Sequence, residues 1–255
     1  MTLHKDDGVV NPLEYDILAP FYDELVGADY LKLYQTYCDI WAHFGLDPKT
    51  VLDLGCGTGS LLPYLEQSRK VVGIDISSEM LSLAQSKARE DTLLLCQDMR
   101  TFTLFSRVDA VVCALDGINA LPNEKAVADT FASVISALSQ DGLFIFDINT
   151  PYKYFSILDG QSFVYDTERV YCVWRSAADR EQRRCDFFLD LFIPNGRGLY
   201  ERKCEHIVQR IYDIDAVCGL LRDSGFELLA VYGEQTFDAP ASTEERVFFV
   251  CRKGK

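Results

Sequence analysis

Apolar residues along this chain fall into two rhythms, one at helical and one at strand spacing, and the order in which they alternate predicts the architecture. Tyr30, Leu33, Tyr34, Tyr37, Ile40, Trp41 and Phe44 recur at three- and four-residue intervals, a stripe along one helix face that Gly45 stops. Ahead of it, Pro20 suits the first turn of a shorter helix carrying Phe21, Tyr22 and Leu25, ended by Gly27. The rhythm then changes. Val51, Leu52 and Leu54 form a short apolar run that breaks at glycines 55, 57 and 59, the pattern of a buried strand turning sharply into a helix. There follow a short helix over 60–67, a strand over 70–74 ending at Asp75, and a helix capped by Ser77 or Ser78 with Leu81, Ala84 and Ala88 inside. A third strand over 92–96 and a fourth over 108–114 lead to a helix capped by Asn123, with Val127, Phe131, Val134, Ile135 and Leu138 inside. An Asp141-Gly142 turn into a fifth strand, LFIFDIN, completes a βαβαβ alternation.

From Thr150 to Tyr212 the pattern becomes alternating strands joined by turns, with NGRG as a hairpin turn, which predicts an antiparallel insertion. Asp213 is placed to cap one more helix with Val217, Leu220 and Leu221, stopped by Gly225, before two last strands, FELLAVYG and RVFFVCR. At 255 residues and 48% hydrophobic the chain supports one elaborated domain. Its expected parts are an N-terminal helical segment (1–50), an α/β core (51–149), the insertion (150–212) and a C-terminal segment (213–255) that completes the core.

No apolar run approaches the roughly 18 residues that span a bilayer, and the start, MTLHKDDGVVNP, lacks the basic-then-apolar pattern of a secretory signal. A cytoplasmic protein is expected. Nine cysteines without a C-x-x-C pair read as buried residues of a reducing compartment, and neither they nor the three histidines, His4, His43 and His206, have metal-ligand spacing. No metal is expected. A net charge of −14 disfavours a bare polyanion such as nucleic acid as partner.

The candidate chemistry centres on VLDLGCGTG, residues 51–59. A Gly-rich strand-to-helix turn brings backbone close to a nucleotide-like ligand, and the helix beyond it offers free N–H groups. The third glycine comes one residue too early for the dinucleotide G-x-G-x-x-G pattern, and the Asp53 carboxylate near the turn would repel a pyrophosphate but attract an ammonium or sulfonium. Asp75, at the end of the second strand, is placed to accept hydrogen bonds from ribose hydroxyls. Asp116 and Asn119 follow the fourth strand at the sheet edge where open α/β sheets put their ligands.

VLDLGCGTG resembles the first motif of class I S-adenosylmethionine-dependent methyltransferases, and GIDISSEML, through Ile76 to Met80, resembles their second. The resemblance implies a Rossmann-like α/β fold with a mostly parallel seven-stranded sheet of order 3-2-1-4-5-7-6, and S-adenosyl-L-methionine as cofactor. It implies cofactor contacts at Gly55, Cys56, Gly57, Asp75, Ile76, Met80 and Leu115, with Asp98 at the adenine amino group and Met99 against the ring. YDILAPFYDELVG resembles the Y-x-x-x-A-x-x-YD element that lids the cofactor in many small-molecule members, which brings in Tyr15 and Tyr22. Cys56 reads as a small residue beside the cofactor rather than a nucleophile.

Asp116 and His206 are the candidates for a general base. In the strand LYERKCEHIVQRIY one face carries Arg202, Cys204, His206, Val208, Arg210 and Tyr212, and the other Glu201, Lys203, Glu205, Ile207, Gln209 and Ile211. The first face is expected to meet the substrate, with Arg202 or Arg210 holding an anionic group. The expected activity is N- or O-methylation of a small molecule. Methylation of RNA or protein, and a non-catalytic or NAD-dependent α/β protein, are the alternatives; a monomer and a homodimer both stay open.

Overall fold

Helical spacing gives helices and period-two spacing gives strands through the whole of the computed structural model, which describes residues 15–234 and 236–254. The first 14 residues, with His4 and part of the expected lid, lie outside the described residues. Two short elements, a 3-10 turn at Ala19–Phe21 and α1 (Tyr22–Val26), precede α2 (Tyr30–His43), whose first turn is capped by Asp29 accepting from the Lys32 amide at 2.9 Å. The core then runs β1 (Thr50–Leu54), α3 (Leu62–Leu65), β2 (Lys70–Asp75), α4 (Ser78–Gln85), β3 (Leu93–Cys96), β4 (Val108–Cys113), α5 (Glu124–Ala137) and β5 (Leu138–Asn149). A π-helix over Lys153–Leu158 leads into β6 (Ser162–Asp166), β7 (Tyr171–Asp179), β8 (Arg184–Pro194) and β9 (Tyr200–Arg210), and α6 (Ile214–Asp223), β10 (Phe226–Gly233) and β11 (Arg246–Lys253) follow.

The larger sheet has the order β3-β2-β1-β4-β5-β11-β10, parallel except for β11, which runs antiparallel to β5 and β10. Numbered by their own sequence order, these strands have the expected 3-2-1-4-5-7-6 arrangement. Alternate residues feed its two faces. Leu52, Val111, Phe144, Phe146 and Phe249 pack under α5 and α6, whereas Val51, Ala110, Val112, Ile145 and Val250 pack under α2, α3 and α4. The stripe on α2 reads as core, with Tyr37, Ile40 and Trp41 buried. The insertion is a separate antiparallel meander, β6-β7-β8-β9, whose inner face packs with Leu18, Phe21 and Leu25 in a third apolar cluster.

Several local details differ from the pattern. No turn interrupts the chain at Asp141-Gly142: β5 begins at Leu138, and the extra residues are absorbed where its pairing with β4 shifts register. Ser77, rather than Ser78, caps α4, which stops at Gln85 before reaching Ala88. Asp213 occupies the first cap position of α6 without its side chain accepting from a helix amide; its carboxylate instead pairs with Arg183 at 2.5 Å. The π-helix carries no signal that simple periodicity detects.

Candidate active site at the strand switch point

The C-terminal ends of β1, β2, β3 and β4 open on a cavity of about 410 Å³, where strand order reverses between β1 and β4. This is the place and the size of a small-molecule site in an open α/β sheet. The glycine turn forms one wall. Gly57 adopts φ +54°, a conformation that costs other residues strain, and its amide donates to Asp75 Oδ2 at 2.8 Å. Gly59 answers a different demand, since a Cβ there would lie 2.7 Å from the Cβ of Ala84 on α4. Asp75 Oδ1 accepts from the Ser77 amide at 2.9 Å, so one carboxylate ties the glycine loop to the start of α4. Burial raises the Asp75 pKa against the opposing pull of these amides.

Gly55, Ile76, Met80 and Met99 line the same cavity with Asp75, and Ile76 is 47% exposed, an apolar surface presented to whatever fills it. Asp98 also lines it, but its carboxylate accepts from the Arg100 backbone amide and guanidinium, both at 2.9 Å, leaving only spare lone pairs for a ligand. Asp53 is buried behind the turn, outside the lining. Its Oδ2 has no hydrogen-bond partner among the described residues, and burial, with Asp75 nearby, pushes its pKa up to about 7. Cys56 is buried as well: it packs on β2, where a Cβ on Gly73 would lie 3.0 Å from its sulfur, and burial raises its thiol pKa, making it a poor nucleophile.

The far end of the cavity is built by residues distant in sequence. Leu115 and Asp116, at the tip of β4, take consecutive left-handed conformations at φ 53° and 56°. Their amides donate to the two oxygens of Asp147 at 2.8 and 2.9 Å, and Arg246 donates to Asp147 Oδ2 and, at 2.7 Å, to Asp116 Oδ1. Burial, with the charge of Asp116, pushes the Asp147 pKa up against the pull of Arg246 and the Asp116 amide, and its two oxygens accept from three N–H donors. Burial alone would lower the Arg246 pKa; Asp147 and Asp116 outweigh it and raise it. Gln209 reaches over from β9 and donates to Asp116 Oδ2 at 2.6 Å, while accepting from the Tyr154 hydroxyl at 2.7 Å. Arg246, Asp147, Gln209 and Tyr154 were not expected at the site. The one available hint was a polar residue, Asp147, inside the apolar run LFIFDIN.

The N-terminal segment roofs this cavity with Tyr15 and Tyr22, whose rings meet edge to face with centroids 6.3 Å apart. It is tied down at several points. Asp23 accepts from Thr58 at 2.6 Å, Ser60 at 2.8 Å and Lys87 at 2.5 Å, and Ser77 donates to Asp16 at 2.7 Å. The Leu18 amide donates to Glu205 on β9 at 2.7 Å.

Three residues expected at the substrate are placed elsewhere, together with the histidine. On β9 the buried residues are Glu205, Ile207 and Gln209, so the face carrying Arg202, Cys204, His206 and Arg210 points away from the cavity. Arg202 pairs with Asp190 at 2.5 Å, His206 bonds Asp186 at 2.8 Å and stacks on Phe188, and Arg210 donates to the Gln182 carbonyl at 3.0 Å. None of these three β9 residues lines the cavity, and the arginine that does is Arg100, paired with Asp98. Asn119 is fully buried, donating to the Arg210 carbonyl at 2.8 Å and accepting from the Asn149 amide at 3.0 Å, a clasp rather than a substrate contact.

A switch-point cavity behind a glycine turn, with a ribose-type acid after the second strand, defines a nucleoside-cofactor protein of the doubly wound class. The comparisons make it specific. A family profile described as "Methyltransferase domain" matches residues 51–142. YqeM of Bacillus subtilis (strain 168), which carries a provisional methyltransferase name, is 33% identical over 247 residues, 94% of this chain and 98% of the relative. An S-adenosylmethionine-dependent methyltransferase from Clostridium acetobutylicum ATCC 824 superposes with a TM-score of 0.84 at 26% identity, over 94% of this chain and 99% of that one. S-adenosylmethionine-bound CalS10 of Micromonospora echinaspora, an amino pentose methyltransferase, shares the fold with a TM-score of 0.74 at 20% identity, over 98% and 100%. The chain belongs to the class I S-adenosylmethionine-dependent methyltransferases, and S-adenosylmethionine is its cofactor. The residues present fit that group: the orphaned, buried Asp53 oxygen suits a positively charged ligand, and Gly57 leaves open space where any side chain would intrude.

Proposed function

We propose that this enzyme methylates a nitrogen or oxygen of a small molecule, with Gly55, Gly57, Asp75, Ile76, Met80, Asp98, Met99 and Leu115 holding the cofactor and Asp53 countering its positive charge. The observation that carries the small-molecule reading is the double roof. Tyr15 and Tyr22 from the N-terminal segment and Gln209 from the insertion close over the Asp116 end, which leaves room for a compact acceptor and none for a folded macromolecule. The amino pentose activity of CalS10, a protein with the same fold, is consistent with it. When bound, S-adenosylmethionine supplies a methyl group on a positively charged sulfur, already activated for displacement. The protein's share is to position the acceptor, exclude water and keep Tyr22 and Tyr154 as hydroxyl donors, which burial does by raising both pKa values well above the ordinary 10.0. Division into a lid, core, insertion and closing segment, and a cytoplasmic location, belong to the same proposal. To test it, the enzyme and methyl-labelled S-adenosylmethionine are added to a bacterial extract that is then separated by size. Label in the small-molecule fraction is expected; label confined to RNA or protein overturns the reading.

A further inference from the structure

The acceptor end of the cavity has a charge imbalance that identifies a substrate class. Asp116 and Asp147 share the single guanidinium of Arg246, so this buried triad carries one more negative charge than it balances. Lys153, the next nearest cation to the triad, donates to Asn149 at 3.0 Å rather than to either carboxylate; burial followed by the charge of Arg246 lowers its pKa, against the pull of Asp116. Asp147 is sealed at 0% exposure, whereas Asp116 lines the cavity, so the unbalanced charge is presented to a ligand through Asp116.

Its geometry is fixed from three sides. Oδ1 accepts from Arg246 at 2.7 Å and Oδ2 from Gln209 at 2.6 Å, and the left-handed backbone is held by the amide bonds to Asp147. Two consecutive non-glycine residues in that conformation are strained, and the strain is maintained where surrounding bonds over-determine it. Each carboxylate oxygen keeps one lone pair that can only accept. The partner that completes the site is therefore a hydrogen-bond donor, and the excess charge favours a cationic one.

Resting on the small-molecule reading above, we infer that the acceptor is an amine, recognised by Asp116, and that Gln209 is a positioning residue that aims the Asp116 carboxylate. Asp116 orients the amine and favours its approach as the ammonium; the proton that nitrogen must lose before reacting leaves to solvent. The carboxylate is committed to its two N–H donors and to recognition rather than to serving as a general base.

The test uses the enzyme saturated with S-adenosylhomocysteine and three probes of one skeleton, cyclohexylamine, cyclohexanol and cyclohexanecarboxylate, with affinities read by ligand-observed NMR. The amine is expected to bind at least about tenfold more tightly than the other two, and Asp116→Asn to abolish that preference while leaving S-adenosylhomocysteine affinity unchanged. Because Asp116→Asn also removes a partner from Arg246, Gln209→Leu supplies a second reading. It keeps the charge but frees the carboxylate, so amine preference persists while amine affinity falls at least about threefold. Equal affinities for the three probes, no measurable amine binding, or a preference that survives Asp116→Asn overturns the inference. A failed small-molecule reading shows itself separately, as label on macromolecules in the extract experiment.

Discussion

At the scale of single residues, Asp53 makes a proton-linkage argument. A carboxyl whose pKa is pushed up to about 7 keeps its proton in the ligand-free protein below that pH, and a cation placed beside it favours the ionised form. Cofactor binding therefore releases a proton between about pH 4 and 7 and none well above it, so affinity rises with pH through that window and then levels. Calorimetry of S-adenosylhomocysteine binding, in buffers of differing ionisation enthalpy, measures this directly. Asp75, also raised by burial, can contribute, and Asp53→Asn isolates the Asp53 part by flattening the profile; a flat profile in the wild type would remove Asp53 from cofactor binding. The place of Asp75 in the cavity wall was legible in the sequence because it ends a strand beside the glycine turn, whereas Asp53 lies behind that turn, outside the lining. Arg246, Gln209 and Tyr154 were not legible, since each is ordinary in its own stretch and gains meaning only when Arg246 and Gln209 meet at Asp116 and Tyr154 holds Gln209.

Among the elements, β9 shows why alternation settles less than it promises. Period two divided its side chains into two sets correctly, but Glu205 and Gln209 belong to the buried set and the arginines to the exposed one. Polarity alone pointed the wrong way: the inner face keeps its polar groups because Glu205 accepts the Leu18 amide and Gln209 bonds across the cavity. Glu205 makes the contact between lid and insertion pH-dependent. Burial, against the pull of the lid amides, pushes its pKa up to about 7, with Asp16 adding in the same direction. Its ionised form is penalised in the docked state, so stability is full below the ordinary carboxylate range and declines as pH rises through about 7. Glu205→Gln removes the penalty. The variant is expected to match the wild type in thermal stability at about pH 4 and exceed it at about pH 8, with slower hydrogen exchange over residues 15–26 at the higher pH after correction for intrinsic rates. A variant no more stable than wild type at about pH 8 would show that this carboxylate carries no such penalty.

In the whole molecule, two apolar layers sandwich the larger sheet and a third joins lid to insertion, and the first two were legible because their strands and helices alternate cleanly in sequence. Phe131 is fully buried on α5 against the rings of Phe144, Phe146 and Phe226. Phe131→Ala should lower unfolding free energy by about 3–5 kcal/mol, read from denaturant midpoints at unchanged slope; a loss below about 1 kcal/mol would mean that the layer repacks freely. The insertion is attached differently. Asn119 grips the Asn149 amide where the chain leaves the larger sheet and the Arg210 carbonyl where it comes back, so a single side chain spans the doorway. A meander of some sixty residues thus departs and returns through one narrow opening, with the methyl-donor half of the enzyme built entirely on the other side. Such wiring makes the outer meander separable: a laboratory chimaera that swaps the segment between 159 and 204 but keeps Tyr154, Glu205 and Gln209 is expected to leave the Asp116 carboxylate aimed and the lid docked.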